Sequence, residues 1–407
     1  MTAPWLSVIG IGEDGLDGLT PIARALYDGA EIVVGGKRHL EMVPEDGRRR
    51  IPWPPQLLAL VPEIEALRGR RVCVLASGDP MCFGVGVTLS RRIPIAEMVV
   101  VPAPSAFSLA CARLGWPLVE MRMVTLHGRP LELAVPHLQP GAKLLVLSAD
   151  RTTPGRLAAL LRDTGWGGSG FTVLERMGGQ GEHITRATAD SWGDQEVDDL
   201  NTIAVDCVAG PETRVFPTVP GLPDDAFAHD GQLTKREMRA MTLAALAPSP
   251  GQMLWDVGAG CGSIAIEWMR SDPRSRAVAI ERDDSRIALI AQNAAVLGTP
   301  FLKVVRGEAP AVLADDLPRP DAVFIGGGIT GDGVVDSCWA ALPPGGRLVA
   351  NVVTAEGEAA VVGHHARLGG TLTRIAVSRA EPVGGYHGWR PLMPVTQWAA
   401  VKPWGPV

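Results

Sequence analysis

Two glycine-rich stretches carry the residue types that cradle a nucleotide-like cofactor. Asp256–Gly262 reads DVGAGCG, an acid followed by Gly258, Gly260 and Gly262 at alternate positions. Val8–Gly15 reads VIGIGEDG, and its Gly10, Gly12 and Gly15 fit G-x-G-x-x-G. Glycines so spaced allow a tight strand-to-helix turn and let a ligand approach the backbone with no Cβ in the way. One chain with two such loops has room for two cofactors, one cofactor used twice, or one site and a decoy.

The downstream loop is the more specific. A short strand, Leu254–Val257, ends at Asp256 and Val257, and a helix starts near Ile264. Glu281 closes the next strand, AVAIE, about 20 residues on, where an acidic side chain meets ribose hydroxyls. The compact D-x-G-x-G-x-G spacing and the Gly307-Glu308-Ala309-Pro310 turn, placed to meet an adenine, favour S-adenosylmethionine over NAD. The expected fold is a class I methyltransferase, with Asp256, Gly258, Ala259, Gly260, Cys261, Gly262, Glu281, Glu308 and Ala309 at the cofactor. After the fourth strand stands Phe324-Ile325-Gly326-Gly327-Gly328, not the Asn/Asp-Pro-Pro-aromatic run of enzymes that methylate base amino groups.

The upstream loop matches a dinucleotide fingerprint only as a string. That reading needs an acid at the end of the second strand, and Glu31 stands at its start. A dinucleotide-dependent oxidoreductase is therefore the alternative, and binding of NAD would distinguish it.

The elements that must position these residues alternate as βα units. Upstream strand candidates are Trp5–Ile9, Glu31–Val34, Val72–Ala76, Met98–Val101, Lys143–Leu147, Phe171–Leu174 and Thr202–Cys207; Thr20 and Pro21 read as N-cap and first position of a helix over Pro21–Gly29. Arg48-Arg49-Arg50 reads as a loop. Residues 210–230, GPETRVFPTVPGLPDDAFAHD, hold four prolines and little periodicity and read as a linker between domains 1–209 and 231–407. Downstream follow a helix over Thr234–Ala247, strands at Ala277–Ile280, Leu302–Val305, Ala322–Ile325 and Arg347–Asn351, and a helix over Ser285–Leu297, a doubly wound scheme.

A chain of 407 residues exceeds one ordinary core. A net charge of −6 disfavours a nucleic-acid partner. No apolar run reaches the ~20 residues that span a bilayer. Cys73, Cys82, Cys111, Cys207, Cys261 and Cys338 are scattered, which suits neither a disulfide framework nor a metal site and fits a cytoplasmic protein.

The upstream half resembles the tetrapyrrole methylases. The resemblance rests on V-x-G-x-G near the start, on the strand ending Ala76-Ser77-Gly78-Asp79-Pro80, and on the VPAPSA turn at Val101–Ala106. VVGGKRHL (Val33–Leu40), TLHGRP (Thr125–Pro130), LSADRTTP (Leu147–Pro154) and LERMGGQGEHI (Leu174–Ile184) narrow it to the branch acting late in corrin synthesis. The downstream half, from LTKREMRAM, resembles the decarboxylating partner of that branch.

The resemblance implies a class III S-adenosylmethionine enzyme of two α/β subdomains upstream and a Rossmann-like class I domain downstream. It implies two cofactor sites per chain. Ser77, Gly78, Asp79, Ser105 and Ala106 match the first site, with Ser77 where the family has glycine, and Glu13 stands where many relatives have proline. Thr234 joins the second site. The substrate implied is a polyanionic precorrin, methylated at meso carbons 5 and 15 and decarboxylated at the acetate on carbon 12. Relatives of the downstream domain imply self-association. Arginines and lysines should converge on such a polyanion. Candidates are Lys37, Arg38, Arg129, Lys235, Arg236 and Arg239, with His127 as a further contact or proton donor or, equally, a structural histidine. Glu237 reads equally as a helix cap or local pair and as a residue acting on substrate, and His364-His365 as an exposed helix pair. No acid/base residue is assigned.

Overall fold

The computed structural model describes residues 4–314 and 316–405. The chain separates into two compact units, one extending through Arg214 and the other from Val215 onward, with Glu132–Leu138 grouped with the second.

The first unit holds two five-stranded sheets. β1 (Leu6–Ile11), β2 (Ile32–Gly35), β3 (Arg49–Pro52), β4 (Val72–Ser77) and β5 (Met98–Val101) form a wholly parallel sheet in the order β3-β2-β4-β1-β5. Its central strands read as nearly unbroken apolar runs because both faces are covered. Leu6, Val8, Val72 and Val74 pack into one core, while Ile9, Ile11, Cys73 and Leu75 pack into another with Ala23 and Tyr27 of the Pro21–Asp28 helix. That helix starts as its sequence dictates: the Thr20 hydroxyl accepts from Ala23 N at 3.3 Å, and Pro21 needs no partner for a missing N–H.

The arginine triplet is not a loop. Arg49 and Arg50 belong to β3, an edge strand, where each finds a glutamate (Glu63 at 2.8 Å, Glu45 at 3.3 Å), and Arg48 lies over the Tyr27 ring. Charge on an outermost strand blocks further pairing, so the run that hides the strand in the sequence suits its place.

The second sheet comprises β6 (Arg122–Thr125), β7 (Lys143–Leu147), β8 (Gly170–Glu175), β9 (His183–Thr188) and β10 (Asn201–Asp206), ordered β6-β7-β10-β8-β9 and mostly antiparallel. The helix Ala106–Leu114 lays Phe107, Ala110 and Cys111 on its Leu145, Leu174 and Ala204.

The second unit is built on a seven-stranded sheet. β11 (Met253–Val257), β12 (Arg276–Glu281), β13 (Lys303–Arg306), β14 (Ala322–Ile325) and β15 (Arg347–Val352) are parallel. β16 (Thr371–Ile375) and β19 (Val395–Val401) complete it, in the order β13-β12-β11-β14-β15-β19-β16, with β19 antiparallel to both neighbours. β17 (Ser378–Val383) and β18 (Tyr386–Pro391) form a separate hairpin. The order reverses between β11 and β14, and the crevice beyond their carboxyl ends is where such sheets bind ligands.

Part of the proline-rich stretch is packed rather than free. Leu222, Ala226 and Phe227 are buried in the core of the second unit, and the Gly221 and Leu222 amides donate to the buried Glu267 carboxylate at 2.6 and 3.1 Å. Among the described residues, no helix is long and apolar enough to cross a membrane.

Candidate active site

At the carboxyl end of β11, Gly258, Gly260 and Gly262 take φ values of +70°, +58° and +81°. Gly258 is the most constrained, because a Cβ there would stand 2.8 Å from Gly327 N on the loop after β14. The backbones so brought together open onto a cavity of about 830 Å³. It is bounded by Gly258 to Cys261, by Glu281, Glu308 and Ala309, by Gly326 to Gly328, and by Thr234 and Lys235.

Glu281 organises its polar side. This carboxylate is 5% exposed and accepts from Gly260 N at 2.8 Å, Arg282 N at 2.9 Å and Asp283 N at 3.0 Å. It ties the end of β12 to the glycine loop and retains lone pairs for hydroxyl donors. Glu308 is exposed and pairs with Arg282 at 3.0 Å.

Asp256 and Gly262 do not bound the cavity. Asp256 lies beneath the loop, where its Oδ2 accepts from Ala265 N at 3.1 Å and fixes the start of the Ser263–Ser271 helix. Its Oδ1 has no partner; burial, aided by the nearby Glu281 charge, pushes its pKa up to about 7. Gly262 backs onto Ile290.

The basic candidates divide. Lys235 bounds the cavity and is half-buried. Arg239 is a correction: its side chain is fully buried and its donors are committed to Glu267 (2.7 Å), Asp224 (3.1 Å) and the Thr234 and Leu222 carbonyls. A guanidinium so engaged cannot also hold a substrate carboxylate, and its role is to pin the segments around it. Arg236 is exposed, away from the cavity. Glu237 pairs with Arg379 at 2.6 Å. His364 and His365 are half-buried rather than exposed, with the His364 ring stacked 5.8 Å from Trp398.

Several cavity residues escape a motif search. Met238, Val353, Val377, Leu392, Met393 and Val395 are apolar and come from separate elements. Asn351 had a readable signal, a polar residue near the carboxyl end of the parallel strand RLVANV. It donates to Thr242 Oγ1 at 2.7 Å and accepts from Gln397 at 3.0 Å.

In the first unit, three motif segments meet backbone to backbone. A Cβ on Gly10 would lie 1.8 Å from Gly78 O and 2.5 Å from Ala103 N, so only glycine fits between β1 and its neighbours. Gly78 N donates to Ile11 O, and Gly78 O accepts from Ala103 N, each at 3.1 Å. Asp79 Oδ1 accepts from Met81 N at 2.8 Å, closing the turn after β4. Ser105 caps the Ala106–Leu114 helix by accepting from Ser108 N at 3.1 Å. Ser77 is exposed, with its hydroxyl 3.0 Å from both Arg38 Nη2 and His39 Nε2. His39 is buried, and desolvation together with Arg38 holds its pKa down to about 4. Glu13 accepts from Arg38 and, at 3.1 Å, from Arg176. Lys37 is exposed near Glu41, and His127 and Arg129 are exposed after β6.

The strand order also removes the dinucleotide reading. β4 lies between β1 and β2, so no residue ending β2 is next to the VIGIG turn.

Residues 6–192 match the family model described as Tetrapyrrole (Corrin/Porphyrin) Methylases, and residues 225–402 match the one described as Precorrin methyltransferase domain. A protein of Sinorhizobium sp named precorrin-6Y C(5,15)-methyltransferase [decarboxylating] is 52% identical over 404 residues, 99% of this chain and 97% of its own. Two shorter relatives each match less than half of the chain. A cobalt-precorrin-7 C(5)-methyltransferase of Salmonella typhimurium is 31% identical over 44% of this chain and 88% of its own length. A probable cobalt-precorrin-6B C(15)-methyltransferase (decarboxylating) of Pyrobaculum calidifontis is 36% identical over 43% and 93%. With a tetrapyrrole methylase match followed by a precorrin methyltransferase match along one chain, and 52% identity to the Sinorhizobium protein across nearly its whole length, the chain belongs to the decarboxylating precorrin-6Y C5,15-methyltransferases.

Proposed function

We propose that this enzyme of cobalamin biosynthesis methylates precorrin-6B at carbons 5 and 15 and decarboxylates the ring C acetate, giving precorrin-8. The near-complete overlap with the Sinorhizobium enzyme carries the reading. We assign carbon 5 to the first unit, and carbon 15 with the decarboxylation to the second. The single-activity relatives, each under half this chain's length, support that division.

S-adenosylmethionine, one molecule in each unit, supplies a methyl group already activated by its sulfonium. The chain's contribution is placement and exclusion of water. Holding two reactants in line is worth about 7–11 kcal/mol in favourable cases, so a strong general base is not required. In the second unit the Gly258–Cys261 backbone and Glu281 fit the cofactor's polar groups, while Ile264 and Phe324 line the same cavity with apolar surface. In the first, Gly78, Asp79, Ser105 and Ala106 form the corresponding cradle, with Ser77 at its edge. Self-association through the second unit completes the reading, supported by Tyr386 and Trp389, which are 83% and 76% exposed on the β17–β18 hairpin.

Incubation with precorrin-6B and cofactor is expected to give a product with two methyl groups gained and one carbon dioxide lost, read by mass spectrometry. A product with one methyl and all carboxyls retained would refute the assignment.

A further inference from the structure

Five charged residues bound the cavity of the second unit: Lys235, Glu281, Arg282, Arg286 and Glu308. Four are engaged. Arg282 pairs with Glu308 at 3.0 Å, Arg286 pairs with Asp230 at 2.9 Å, and Glu281 accepts three backbone N–H groups. Among the described residues, the Lys235 ammonium has neither a carboxylate nor a carbonyl partner.

Its backbone, by contrast, is held firmly. Asp224 accepts from Arg236 N at 2.8 Å and from Arg239 Nη1 at 3.1 Å. Arg239 N donates to Lys235 O at 2.8 Å, and the buried Arg239 guanidinium donates to Thr234 O. The result is an uncompensated cation on a fixed turn. Apolar Met238, Val377 and Leu392 share its cavity.

We propose that Lys235 grips the acetate carboxylate that is lost and delivers the proton that replaces it. This rests on the decarboxylating reading above. The bond between the acetate methylene and its carboxylate breaks, the electron pair passes into the conjugated macrocycle, and carbon dioxide leaves. That pair then forms a C–H bond with a proton from Lys235 Nζ, turning the methylene into a methyl group. The neutral amine recovers a proton from water, so the net change is carboxylate plus proton to methyl plus carbon dioxide. Lysine suits both tasks because its ammonium pairs with a carboxylate and can release a proton, which a guanidinium does not. Apolar neighbours favour departure of the carboxylate by withholding water from it.

The test uses the full chain with Lys235→Met and Lys235→Arg, precorrin-6B and cofactor, following carbon dioxide release and methyl count separately. Losing a positioned proton donor should slow decarboxylation in K235M by about 10²–10⁴-fold, with carbon-15 methylation falling much less. K235R should keep a near-normal KM and remain slow in decarboxylation. Titration with S-adenosylhomocysteine that keeps the wild-type stoichiometry in both variants shows that the cavity is intact. Carbon dioxide release in K235M at the wild-type rate, or methylation falling in step with decarboxylation at saturating precorrin-6B, would overturn the proposal. Wild-type enzyme that releases no carbon dioxide would instead overturn the function on which it rests.

Discussion

Asp256 is a carboxylic acid buried to 1% exposure with one oxygen unpartnered, and this has a consequence for pH. Its folded pKa of about 7 exceeds the roughly 3.9 of an unfolded chain. Between those values the folded protein holds a proton that the unfolded protein has released, so the stability this group contributes is intact below pH 4 and lost as pH rises through 7. Asp256→Asn keeps an acceptor for Ala265 N and removes the titration. Its melting temperature should fall less between pH 5 and 8 than that of the wild type, a difference on the order of 2 kcal/mol by calorimetry; equal pH slopes would contradict this. Glu281→Ala removes an acceptor of three amides as well as the carboxylate proposed to bind cofactor hydroxyls. Charged hydrogen bonds of about 1.5–3 kcal/mol imply a loss of roughly 10- to 150-fold in S-adenosylhomocysteine affinity at one site, and unchanged affinity would remove its role. The place of Glu281 beside the glycine loop was legible because it depends on local spacing. Arg239 was not, since its partners are Glu267 on another helix and Asp224 in a stretch that reads as linker.

Among the elements, the contact between β1 and the turn after β4 is the least forgiving. Gly10→Ala would place a methyl within 1.8 Å of a carbonyl oxygen that cannot move without breaking its bond to Ala103 N. We expect a loss of about 2–4 kcal/mol in the first unit, seen as a lowered melting transition; an unshifted transition would show that the segments part easily. Apolar runs such as VCVLA and AVFI announced their strands directly, because buried parallel strands need no alternation. The edge strands β3, β6 and β9 were missed for the opposite reason. Their burial is partial, so arginine, threonine and histidine dominate them and the hydrophobic signal fades. The cavity wall from Val377 to Val395 was illegible for another cause: sheet topology, not spacing, assembles it.

For the molecule as a whole, the proposal is one cofactor cradle in each unit, a stoichiometry of two cofactor molecules per chain. Calorimetric titration of the full chain with S-adenosylhomocysteine should resolve two sites, and Glu281→Ala should weaken one and leave the other as it was. A single site in the wild type would refute this. The texture of the sequence changes after residue 209, close to Arg214, where the first compact unit ends. That change did not disclose where the second core begins, because Leu222 and Phe227 pack through prolines that disrupt any periodicity.

The place of β19 governs how the second unit is made. This strand, the last in chain order among the described residues, is inserted between β15 and β16 and bonds to both, with Trp398 fully buried. During synthesis the flank of β15 is therefore expected to stay open until residues 395–401 leave the ribosome. Nascent chains stalled before that point would present an unpaired apolar edge to chaperones or to one another.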